Sequence, residues 1–127
     1  IEGISSHQPV LSLHLTVLNT KLQYANVSIT VLDSTRANVN MAYKKGSVVY
    51  INMYVTGDWN NCSIKVAKLN DSKYFPHNMA YGFYNVTGNG KNIDKYINGI
   101  IKANGEIYFW MNGTITWNES ITFIYPI

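Results

Sequence analysis

Three histidines, seven carboxylates and one cysteine are the side chains of this 127-residue sequence from which a general base, a metal site or a thiol nucleophile would be built. Catalysis needs such groups converging, as a nucleophile with its base, a carboxylate pair or a metal cluster. His7, His14 and His77 lie far apart, and no two of them show the helical spacing of a zinc-binding pair. Asp58, Asp71 and Asp94 fall in polar, loop-like stretches, where two carboxylates can meet across a glycosidic bond. Aspartate also favours turns for its own local hydrogen bonds, so its presence there is not specific. Gly88-Asn89-Gly90 has no helix after it whose N-terminus would hold a phosphate, and it reads as a turn. Cys62 is alone, which excludes an intrachain disulfide and a multi-cysteine metal site; in its apolar strand it reads as a small buried hydrophobe. The expectation is a non-enzymatic chain with no catalytic residues, no metal ligands and no cofactor.

Ten tyrosines, three tryptophans and abundant asparagine point to a different chemistry. An aromatic face covers the apolar C–H face of a sugar ring, while amides and carboxylates exchange hydrogen bonds with its hydroxyls. No ionised nucleophile is required. Binding groups on β scaffolds concentrate in loops, so the expected saccharide contacts are Asp58 and Trp59 in the Gly57–Asn61 stretch, and His77 beside Phe75-Pro76. Trp110, Trp117 and Asn118, around the Asn112-Gly113 pair, complete the set. Most of the tyrosines, and about half of the tryptophans, are expected simply to fill the core and cover strands.

The formal charge of +3 comes from ten Lys and Arg against seven Asp and Glu. The cations are scattered, with Lys44-Lys45 the only adjacent pair, whereas a nucleic-acid footprint clusters them on one face. Nucleic acid is therefore not an expected partner. No apolar run approaches the roughly 20 residues of a membrane-spanning helix, so membrane insertion is not expected either. The start, Ile1-Glu2-Gly3-Ile4, lacks the basic opening of a signal peptide and reads as that of a C-terminal fragment, with residues 1–8 the tail of an upstream shaft or linker. Asn-x-Ser/Thr triplets at Asn26, Asn61, Asn70, Asn85, Asn112 and Asn118 leave a secreted or viral glycoprotein domain as an alternative.

What must position these groups is a set of strands. Residues 10–18 alternate Leu11, Leu13, Leu15 and Val17 with Ser12, His14 and Thr16, and residues 22–32 and 36–43 continue in that style. In residues 47–56, Val49, Ile51, Met53 and Val55 alternate with Tyr50, Asn52 and Tyr54, the pattern of a central strand. A loop at 57–61, a strand near 62–69, a break at Asn70–Pro76 and strands at 79–86 and 93–102 follow. Asn-Gly pairs at 104–105 and 112–113, then Asn118-Glu119, divide the last third into short strands joined by tight turns. No window carries helical periodicity. The expected fold is a single all-β domain over residues 1–127, of about nine short strands in an antiparallel sandwich, jelly roll or barrel.

Residues 43–127 resemble the head domains that close many tailed-phage fibre, baseplate and receptor-binding proteins, particularly of phages infecting Gram-positive bacteria. The residues carrying the resemblance are YKKGSVVYINMYVTG, similar to the family's strand after a Lys-Gly turn, and KLNDSKYFPHNMAYG, similar to its proline step. IIKANGEIYFW and ITFIYPI are similar to its Asn-Gly hairpin and terminal strand. The chain departs at Leu69-Asn70, where the family commonly has Leu-Pro. The resemblance implies a β head, usually trimeric, at the extracellular tip of the virion, that binds host cell-wall polysaccharide or teichoic acid without a cofactor. A structural adaptor binding other tail or baseplate proteins is the competing expectation.

Overall fold

The computed structural model describes residues 24–86 and 97–127. The strand read at residues 10–18 and the turn at Gly88–Gly90 lie outside them. Within them the chain is all-β and antiparallel. Its strands are β1 (Tyr24–Asn26), β2 (Ile29–Val31), β3 (Ala37–Lys45), β4 (Val48–Leu69), β5 (Ala80–Val86), β6 (Ile97–Ile101) and β7 (Glu106–Pro126). A single 3₁₀ turn at Ser72–Tyr74 is the only helical element among the described residues.

Two strands dominate. β4 is 22 residues long and β7 is 21, and at about 3.3 Å per residue a straight strand of that length would span about 70 Å. A 127-residue domain has a radius of gyration of only about 14 Å, so both strands must turn back on themselves. They do so together. Residues Val48–Val55 of β4 pair with Glu119–Pro126 of β7, and Cys62–Lys68 of β4 pair with Glu106–Met111. Between these ladders the register slips at Val55/Gly57 and Trp59/Cys62. Gly57 (φ 95°), Asn61 (φ 47°) and Gly113 (φ 107°) take left-handed conformations in this stretch. Bulges of this kind bend a strand and sharpen its twist.

The bend makes two layers from one sheet. In the first, β1, β3, the start of β4, the end of β7 and β5 lie side by side; in the second, β2, the end of β4, the start of β7 and β6 do. β5 and β6 join them along one edge through Ala80↔Ile101 and Tyr81↔Ile100. The inner faces meet as the core, with Val49, Ile51, Met53, Val55, Ile121 and Phe123 from one layer and Val66, Ile101, Ile107, Phe109 and Met111 from the other, all buried. The sheet does not close into a barrel, so the sandwich form is the one observed.

Several readings of the sequence hold. The 47–56 segment is central, flanked by β3 and β7. Gly46, at φ 61°, turns β3 into β4. Asn104-Gly105 turns β6 into β7, with Gly105 at φ 85° and the Asn104 Oδ1 accepting from Glu106 N at 3.1 Å.

Others are corrected. Gly57–Asn61 and Asn112-Gly113 are not a loop and a hairpin turn but facing parts of the bend, where Trp59 pairs with Gly113. Glycine and asparagine supply positive φ equally to a turn and to a bulge, so local sequence does not separate the two. Asn118-Glu119 likewise lies inside β7, and Glu119 is fully buried. Two of the strands are therefore long, where short strands joined by more turns are expected from the sequence. The 22–32 segment divides at Val27–Ser28, because β1 pairs with β3 in one layer and β2 with β4 in the other.

Candidate functional site

Alternation along β7 sends Ile107, Phe109 and Met111 into the core and leaves Tyr108 and Trp110 on the outer face of the second layer. Register then decides their neighbours. Trp110 stands between Ser63 on β4 and Asn98 on β6, and Tyr108 between Lys65 and Ile100. Ser63, Asn98, Gly99, Ile100, Tyr108 and Trp110 line a shallow surface depression of about 60 Å³. Gly99 lines it with backbone alone, the position of its missing Cβ facing the core.

Charge gathers at one end of this depression. The Lys102 ammonium lies 4.3 Å from the Tyr108 ring centroid, a cation–π contact. Lys65 Nζ donates to Glu106 Oε2 at 2.8 Å, and Asn104 Nδ2 donates to Glu106 Oε1 at 2.6 Å. These hydrogen bonds, that from Lys65 first, hold the Glu106 carboxyl below its ordinary range and the Lys65 ammonium above its own. The pair is solvent-screened, so it orders side chains more than it stabilises the fold.

The depression offers two adjacent rings, an amide, a hydroxyl and a cation, and it holds no nucleophile with a base beside it. Such a surface can lie against the C–H face of a sugar ring and exchange hydrogen bonds with its hydroxyls. Among the described residues, no three His, Cys, Asp or Glu side chains are placed to share a metal ion.

Of the residues singled out from sequence, Trp110 is in this depression. Trp59 is not open to a ligand: it is 2% exposed, its indole N–H donates to Thr56 O at 3.0 Å, and the Arg36 guanidinium lies 5.5 Å from its ring centroid. It plugs the bend. The bulge at Trp59/Cys62 turns the ring inward, which corrects its reading as a loop aromatic. Asp58 is exposed at the same bend, where Thr114 Oγ1 donates to its carboxylate at 2.7 Å. His77 is exposed at a separate groove of about 240 Å³, lined with Pro76, Met79 and Tyr125. The side chains of Trp117 and Asn118 lie outside the described residues, although their backbone is part of β7. The four whose side chains are described, Asp58, Trp59, His77 and Trp110, do not form one site.

Tyr108, Ser63, Asn98, Lys65 and Lys102 were not singled out. Alternation within EIYFWM already separates Tyr108 and Trp110 from the core positions, and that signal was readable. The placement of Ser63 and Asn98 beside Trp110 depends on pairing between distant segments. The chain matches no family model and no curated protein, so the site is read from its own geometry.

Proposed function

We propose that the chain is a non-catalytic binding module that lays a saccharide across Tyr108 and Trp110. On this reading it serves as the receptor-binding head of a phage tail fibre or baseplate, adsorbing to host cell-wall polysaccharide or teichoic acid. The observation that carries the binding role is the pair of outward rings on one rigid strand, flanked by the Asn98 amide and the Ser63 hydroxyl. The lysines beside them suit the phosphates of a teichoic acid, while the rings suit its sugars. The phage assignment rests on the resemblance of residues 43–127 described above.

Affinity per site is expected in the millimolar to micromolar range, since sugar hydroxyls exchange water for protein at little net gain. Several linked copies in a trimer would raise avidity by up to about 10⁴. The test is binding of the chain to purified Gram-positive cell-wall polysaccharide and teichoic acid. Saturable binding without new reducing ends supports the reading; release of reducing ends contradicts the non-catalytic part of it.

A second reading, an adaptor that binds other tail proteins, is favoured by the apolar part of the first layer's outer face, where Tyr81 and Phe83 are more than half exposed. A blank saccharide assay together with binding to a purified tail protein would favour it. The glycoprotein alternative gains nothing at Asn70, whose amide donates to Ser28 Oγ and accepts from Thr30 Oγ1.

A further inference from the structure

Asparagine followed by glycine is the pair in which a main-chain nitrogen most readily attacks the preceding side chain, because glycine has no Cβ to hold the two apart. The sequence contains Asn89-Gly90, Asn98-Gly99, Asn104-Gly105 and Asn112-Gly113. The first lies outside the described residues. The other three differ in what holds the asparagine amide and the glycine nitrogen.

Two of them are held. Asn98 and Gly99 pair with Trp110 and Phe109 of β7, and Gly99 is buried against Ile121 and Phe123. Asn104 is exposed but fixed at both ends of its amide, where Oδ1 accepts from Glu106 N at 3.1 Å and Nδ2 donates to Glu106 Oε1 at 2.6 Å. The Gly105 nitrogen donates to Lys102 O at 2.9 Å, and the Phe75 ring covers Gly105. Asn112 is different. It is exposed, and among the described residues none forms a hydrogen bond with its side chain. The register between β4 and β7 steps from Trp59↔Gly113 to Cys62↔Met111, so Asn112 faces Asn60 and Asn61 with no single partner on β4. Gly113, at φ 107°, departs from strand geometry at the same place.

We propose that Asn112 is a modification site, where the chain converts its own amide to aspartate and isoaspartate with water as the co-reactant. The Gly113 nitrogen gives its proton to solvent and bonds to Asn112 Cγ. The Cγ–Nδ2 bond then breaks, and the amide leaves as ammonia with a proton from water. Water opens the resulting cyclic imide. Attack at Cγ yields aspartate; attack at the main-chain carbonyl carbon yields isoaspartate, whose main chain runs through Cβ and Cγ and is longer by a methylene. Either product adds negative charge at the bend, where Asp58 already holds Thr114. Isoaspartate also shifts Gly113 against its partner Trp59, so the bend loosens as the protein ages. The inference stands apart from the saccharide reading, which concerns Tyr108 and Trp110.

Timed peptide mapping by mass spectrometry tests it, on the full folded chain at mildly alkaline pH and on the same chain unfolded in guanidinium. In the folded chain Asn112 is expected to convert at least about tenfold faster than Asn98 and Asn104. Unfolding releases all three, and their rates are expected to converge. Asn112→Gln is expected to stay unmodified at that position with an unchanged far-ultraviolet dichroism spectrum, and after ageing to keep a higher urea midpoint than the aged unaltered chain. A folded chain in which Asn112 converts no faster than Asn98 or Asn104, or stays intact while the unfolded chain converts there, overturns the proposal.

Discussion

Phe109 and Phe123 belong to one strand, yet their rings stack with centroids 6.4 Å apart and planes 18° from parallel. Along a straight strand the separation would be about 45 Å at roughly 3.3 Å per residue. The contact is therefore made by the bend of β7, and it joins the two layers at the middle of the core. Phe109→Ala and Phe123→Ala are each expected to cost about 3–5 kcal/mol. The double variant should cost less than the sum, because the ring pair itself carries about 0.5–1.5 kcal/mol. Urea unfolding of the four proteins measures both quantities; strict additivity would mean that the rings do not couple.

Crowding around Ile121 and Phe123 also explains two glycines, Gly99 across the layers and Gly82 on the neighbouring strand. A Cβ on Gly99 would lie 3.0 Å from Ile121 Cγ2 and 3.0 Å from Phe123 Cζ, and one on Gly82 would meet the same two side chains. Overpacking of this kind typically costs about 1–3 kcal/mol. Gly99→Ala is expected to lower the urea midpoint by a corresponding amount, whereas Gly46→Ala, with open space around its Cβ, suffers from its positive φ alone.

Much of this architecture was legible in local pattern. Val49 to Val55 against Tyr50 to Tyr54 named the two faces of β4 correctly, and Asn104-Gly105 marked a real hairpin. Illegible was whether Gly57–Asn61 and Asn112-Gly113 end a strand or bend it. Both outcomes use positive φ, and only the pairing of Trp59 with Gly113, a contact between distant segments, decides. The same limit governs the site. Trp110 was recognised from its chemistry, but Ser63 and Asn98 reach it through register, and Trp59 has the same chemistry with the opposite burial.

Alkaline pH should loosen the fold. Burial pushes the Tyr125 phenol well above its ordinary value of 10.0, and burial, with the neighbouring Glu119 carboxyl, does the same to Tyr84. The unfolded chain releases these protons near pH 10.0 while the folded chain retains them. Stability is thus whole below that pH and lost as pH rises above it. Tyr125 also donates to Tyr74 O at 2.7 Å, so Tyr125→Phe is expected to cost about 1 kcal/mol at neutral pH and to flatten the alkaline decline. Urea midpoints at neutral pH and above pH 10 check this; an unchanged alkaline slope in the variant would contradict it.

The two tryptophans with opposite burial separate folding from binding. Trp59→Ala should destabilise by about 3–5 kcal/mol, as loss of a buried ring does. Trp110→Ala, at a half-buried surface position, should cost about 1 kcal/mol or less in urea unfolding.

Calorimetric titration of purified Gram-positive cell-wall polysaccharide into the unaltered chain and into Trp110→Ala tests the binding claim most directly. The account predicts saturable heat with the former and at least about a tenfold loss of affinity with the latter, equivalent to roughly 1.4 kcal/mol, at little change in folding. Equal affinity in a folded Trp110→Ala would contradict it.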